Sequence, residues 1–227
     1  MNDSILRVLC FSFFAFSSSV LAETKFYDFA YANDKSKKEI TLRFDEASVN
    51  KYPGWRYRPN KAVNVSIWFP SLKEASSPNV WMSSKQEQEK SNIKPNDNNR
   101  KLSLKLGGIV GNYLVDPTNV NGQSLSECKT KQTFEKYIKE GELGIFKQYK
   151  SVGRPGAVIK DLFVPSKPIS GIGCIKCNGA TCQLFGISDI GIEYIATEAF
   201  KESQMVNDVV ALHQVINQYI ESKRVKD

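Results

Sequence analysis

Five cysteines, one histidine and a scatter of carboxylates are the residues of this 227-residue chain that could do chemistry. Three cysteines crowd into CIKCNGATC, at positions 174, 177 and 182, while Cys128 stands alone upstream and Cys10 lies near the start. A structural zinc site wants four ligands with a close pair in each half, but Cys128 has no close partner and the last spacing is C-x4-C. A thioredoxin-type pair needs its first cysteine at a helix N-terminus, where the local field lowers its pKa. Cys174 instead follows Gly171-Ile172-Gly173 in a stretch that reads as strand. Covalent cross-linking is the chemistry left, and it requires an oxidising compartment.

The opening residues, MNDSILRVLCFSFFAFSSSVLA, bear on that compartment. Arg7 precedes an apolar run over 8–16, small residues follow, and Val20 and Ala22 suit a leader-peptidase site, so a cleaved secretory leader is expected over 1–22. The run falls short of the roughly 20 residues that span a bilayer. Cys10 would leave with the leader, and Glu23, not cysteine, follows the cleavage point, which argues against a lipid anchor. Removal of 22 residues would leave 205, enough for a single domain over 23–227. Four cysteines would remain, and two disulfides are expected from them. Asn178-Gly179 is a hairpin turn signal. A loop over 178–181 would set Cys177 opposite Cys182 and leave Cys174 for Cys128. The alternative, Cys174 with Cys182 and Cys128 with Cys177, stays open at this point.

His213 is the only histidine, and any Ser-His-Asp or Cys-His site would need it. It falls on the apolar stripe of a C-terminal helical pattern, where a packed, hydrogen-bonded role is expected. Asp189 and Glu193 form a carboxylate pair that a hydrolase could use, but their spacing alone does not define a site. The glycines of LGGIVG are not followed by the lysine and helix of a phosphate-binding loop. No catalytic residue, metal or cofactor is expected.

The elements that would position these residues read mostly as strands. Ile40, Leu42 and Phe44 alternate with polar neighbours, as do Val63, Val65, Ile67 and Phe69, then Leu102, Leu104 and Leu106. This period of two predicts a largely antiparallel sheet. Further strands are expected over 25–31, 157–164, 172–177, 180–187 and 190–200, and 133–140 is ambiguous between strand and helix. Near the C-terminus Val206, Val209, Val210, His213, Ile216 and Ile220 recur at steps of three and four, predicting a helix, with Ser203 as its N-cap and Lys223 and Arg224 in its last turn. The fold class is α+β, a mostly antiparallel sheet with a C-terminal helix packed on it. Residues 83–100, SSKQEQEKSNIKPNDNNR, are too polar to form core and are expected to make a mobile loop.

The net charge is +7, a surplus that attracts anionic partners; for an exported chain an acidic protein is a more accessible partner than nucleic acid. Trp55, Arg56, Tyr57 and Arg58 follow the turn Pro53-Gly54, and Trp81 stands further on. Tryptophan, tyrosine and arginine are the residue types that dominate binding hot spots, so these five are the candidate partner-binding residues.

The order of WFPSL after an early strand, the cysteine hairpin, the strand IGIEYIATEAF and a terminal helix resembles the small periplasmic immunity proteins of bacterial type VI secretion systems. The resemblance covers chiefly residues 172–222. It implies a periplasmic inhibitor that neutralises a cognate toxin by binding it, with no contact residue carried over. The alternatives are an envelope-associated hydrolase using a carboxylate pair and a structural envelope-binding protein.

Overall fold

The computed structural model describes residues 25–32, 39–49, 62–76, 84–107, 136–152, 161–199 and 202–226. Alternation of apolar and polar residues produces ten strands among them: β1 (Phe26–Ala32), β2 (Glu39–Asp45), β3 (Val63–Phe69), β4 (Arg100–Leu106), β5 (Lys136–Leu143), β6 (Phe146–Val152), β7 (Asp161–Pro165), β8 (Ile172–Cys177), β9 (Thr181–Ile187) and β10 (Glu193–Ala199). Three helices accompany them: α1 (Lys85–Lys90), α2 (Glu202–Asn207) and α3 (Val209–Ser222). The α+β class expected from the sequence is the class observed.

β1 and β2 form a two-stranded ribbon, and the other eight strands form one sheet in the order β3-β4-β10-β9-β8-β7-β6-β5. Strands β5 to β10 are a meander, joined to the β3–β4 hairpin where β10 pairs antiparallel with β4. Cross-strand partners share a face, and the registers sort the side chains into two sets. On one, the helix face, Val65, Leu104, Ala196, Leu184, Ile175 and Phe163 line up across six strands. Met205, Val206, Val209, Leu212, Ile216 and Ile220 of α2 and α3 close over them, and Phe29, Leu42 and Phe44 of the ribbon complete the same core. On the other, the far face, Trp68 opposes Lys101, and Cys174, Phe185 and Ile195 follow one another across β8, β9 and β10.

The C-terminal helical pattern is split. α2 begins at Glu202, so Ser203 lies inside it and is not an N-cap, and Asp208 separates α2 from α3. Asp208 holds the N-cap position of α3 yet makes no side-chain capping bond, because its carboxylate is held by Arg100 Nη1 at 2.6 Å. The chain after α3 is stitched to the ribbon. Arg43 N–H donates to the Lys223 carbonyl at 2.7 Å and Val225 N–H to the Thr41 carbonyl at 2.9 Å.

The polar stretch 83–100 carries structure that its composition does not announce. The Ser84 hydroxyl accepts from Glu87 N–H at 3.2 Å and starts α1, a helix with no apolar stripe. Gln88 Oε1 then accepts from Asn96 N–H at 2.8 Å and from Asn99 Nδ2 at 2.6 Å, folding the chain that follows back onto the helix.

Cys177 and Cys182 are opposed at the end of the β8–β9 hairpin and joined by a disulfide, with Cα atoms 4.1 Å apart. Asn178 N–H donates to the Thr181 carbonyl at 3.0 Å, leaving Gly179 and Ala180 as the two central residues. Gly179 has φ +78°, the positive value that the first position of a II′ hairpin turn demands. This bond rules out the alternative pairing of Cys174 with Cys182. Cys174 is itself disulfide-bonded, and Cys128 lies outside the described residues. So does the expected leader over 1–22. No described helix is long and apolar enough to cross a membrane.

Candidate functional site

His213 is where a Ser-His-Asp or Cys-His centre would have to form, and its surroundings give it a structural role. Asp189 N–H donates to Asn217 Oδ1 at 3.2 Å, which fixes the amide and turns Nδ2 toward His213 Nε2 at 3.1 Å. Nε2 therefore accepts, and the neutral ring carries its proton on Nδ1, donating to the Tyr194 hydroxyl at 2.6 Å. Burial holds the imidazole below its ordinary pKa of 6.5, with the Asp189 charge opposing, and burial raises the Tyr194 phenol. Both are therefore neutral near pH 7 and poorly set to exchange protons. The packing is tight: Gly171, at φ +71°, lies so close that a Cβ there would stand 2.5 Å from His213 Cε1.

The carboxylate pair is not assembled. Asp189 is exposed in the turn between β9 and β10, and its backbone and its charge both act toward the helix face. Glu193 is buried and opposes Ile187, so it points to the far face, alternating with Tyr194. No group of three or more His, Cys, Asp or Glu that could hold a metal ion occurs among the described residues.

Two ionic clusters bind elements together. Lys101 and Glu87, 1% and 4% exposed, form a buried ion pair that fastens α1 to the far face. Lys101 Nζ stands 5.8 Å from the Trp68 ring centre, and Trp68 Nε1 donates to the Ser91 hydroxyl at 3.1 Å. Burial lowers the Lys101 pKa, and Glu87 counteracts it. Glu87 Oε2 is buried with no hydrogen-bond partner. The second cluster centres on Arg100. It grips both oxygens of Glu198 at 2.6 Å and Asp208 at 2.6 Å, with Phe69 5.2 Å below the guanidinium, and so joins β4, β10 and the α2–α3 junction.

Of the partner-binding residues expected from sequence, Trp55, Arg56, Tyr57, Arg58 and Trp81 all lie outside the described residues. The described surface offers a different candidate, the tip of the β5–β6 hairpin. Leu143 and Ile145 are 36% and 49% exposed there, on either side of Gly144. Lys139 and Lys147 flank them on the two strands, and the Ile145 carbonyl accepts from Ser166 N–H at 2.8 Å, next to the exposed Lys167. An apolar tip among lysines suits contact with an apolar, acidic recess; it contains nothing that would turn over a substrate. Sequence reading missed it because β6, FKQYKSV, breaks the apolar alternation, so neither the hairpin nor its tip could be located. Comparisons with protein-family models, curated proteins and solved structures give no match.

Proposed function

We propose that this chain is an exported binding protein, a periplasmic inhibitor that neutralises a secreted toxin by contact and not by turnover. One observation carries the reading. Among the described residues, the buried groups Glu87, Lys101, Glu198, Tyr194 and His213 and the part-buried Arg100 each hold one element of the fold to another, which favours surface contact as the means of action. The secretory pattern over 1–22 and the Cys177–Cys182 bond suit an oxidising compartment. The charge of +7 would speed encounter with an acidic partner and sharpen partner choice.

The test is protection. The product of a neighbouring toxin gene is exported to the periplasm of a host with and without this chain, and the purified pair is then titrated. Growth rescue and a stoichiometric complex support the reading. Leu143→Asp with Ile145→Asp should weaken that complex at least tenfold, as loss of an apolar anchor does at a hot spot. Killing that continues despite equal expression of this chain, with no complex formed, would overturn it.

A further inference from the structure

Two hairpins of the sheet turn by the same device. Asn178-Gly179-Ala180-Thr181 links β8 to β9, and Leu143-Gly144-Ile145-Phe146 links β5 to β6 with Leu143 paired to Phe146. The first central residue is glycine in each, at φ +78° for Gly179 and +58° for Gly144, as a II′ turn requires. The second central residue needs no positive φ, so its side chain is open to choice. The β8–β9 turn places alanine there, and the β5–β6 turn places isoleucine. Ile145 is 49% exposed and belongs to neither buried cluster, whereas Phe146 beside it is buried in the main core. The fold therefore uses Gly144 and not the Ile145 side chain. Single exposed apolar residues are ordinary, but Leu143 stands just across Gly144 from Ile145, and the two make one apolar apex.

The apex is stiff and carries positive charge. The Ile145 carbonyl accepts from Ser166 N–H at 2.8 Å and Phe146 pairs with Pro165, so β7 and the residue after it brace the turn. A braced tip loses little freedom when a partner buries it. Glu142 is held by Lys139 at 3.4 Å and Glu140 by Lys150 at 3.0 Å, while Lys147 and Lys167 form no ion pair among the described residues. A convex apolar apex is desolvated only inside a concavity, and two ammonium groups beside it call for carboxylates on the rim.

We propose that Ile145 is the anchor of this binding protein, entering an apolar recess on the toxin whose carboxylate rim meets Lys147 and Lys167, with Leu143 against one wall. This rests on the inhibitor reading above and adds the anchor, the shape and the charge of what it meets. The two parts do different work. Burial of Ile145 sets how long the complex lasts, and the lysines set how fast it forms.

The free protein gives the first test. A soluble paramagnetic agent should broaden the methyl signals of Leu143 and Ile145 and spare those of the buried Ile175 and Ile216. Ile145→Ala, which copies the β8–β9 turn, should leave the urea midpoint unchanged. Shielded tip methyls, or a loss of stability as large as at a core isoleucine, would show that the chain itself uses the apex and would overturn the proposal. The second test uses the product of the neighbouring toxin gene. Ile145→Ala should speed dissociation about tenfold or more and keep association within about twofold of wild type. Lys147→Gln with Lys167→Gln should slow association about fivefold or more at low salt and flatten its salt dependence. If the wild-type complex forms, unchanged dissociation for Ile145→Ala overturns the anchor and unchanged association for the lysine pair overturns the acidic rim, while the inhibitor reading stands. No complex and no protection with the wild-type chain overturns both.

Discussion

The two faces of the eight-stranded sheet are buried by different chemistry. The helix face is closed by aliphatic and aromatic side chains of α2, α3 and the β1–β2 ribbon. The β3–β4 end of the far face is closed by a short polar helix whose contacts are Glu87 with Lys101 and Ser91 with Trp68. Apolar contact is tolerant of detail, since volume-conserving swaps among apolar side chains cost little. A buried ion pair is not, because removing one partner strands the other charge away from water. The β3–β4 end of the far face is therefore more specific than the helix face and less forgiving.

The largest break in that contrast is expected at Glu87. Glu87→Ala removes the carboxylate facing Lys101 and should cost about 3–5 kcal/mol in urea unfolding, whereas Glu87→Leu with Lys101→Met should recover most of the loss. Recovery no better than the single variant would remove the contrast. On the helix face Ile216→Ala should cost about 3 kcal/mol through the cavity it leaves, and its effect should be the same at pH 5 and pH 7.5. The smallest effect is at His213. Its folded pKa is held below 6.5, so on acidification the unfolded chain takes up the proton first. Its contribution is complete above about pH 6.5 and shrinks as pH falls toward the folded value. Calorimetry should show Tm falling as pH drops below about 6.5, and His213→Gln should flatten that slope; an unchanged slope would remove His213 as its source.

The difference between the faces also explains what the sequence made legible. β3 and β8 match the expected strands residue for residue, and β2, β4, β9 and β10 lie within them or within a residue or two; β2 and β4 present alternate apolar side chains to one core, while β8 and β9 are short apolar runs buried on both faces. Of the ambiguous stretch 133–140, the described residues 136–140 open the edge strand β5, where alternation matters least. α1 was invisible because KQEQEK has no apolar stripe; its buried side chains are Glu87 and Gln88, whose partners come from later in the chain. The break at Asp208 was hidden for a similar reason, since its carboxylate serves Arg100, 108 residues earlier, and not its own helix. Polar partners far apart in sequence leave no periodic trace. The staple at 177 and 182 was legible because the turn chemistry of Asn178-Gly179 is local.

The stitch between residues 41–43 and 223–225 has a practical consequence. Backbone hydrogen bonds there make the tail a narrow third member of the ribbon, so a protease that clips after Ser222 would free the ribbon's margin while the meander stays intact. Bulky affinity handles fused immediately beyond the tail would strain this seam, and a spacer long enough to clear it is the safer engineering choice.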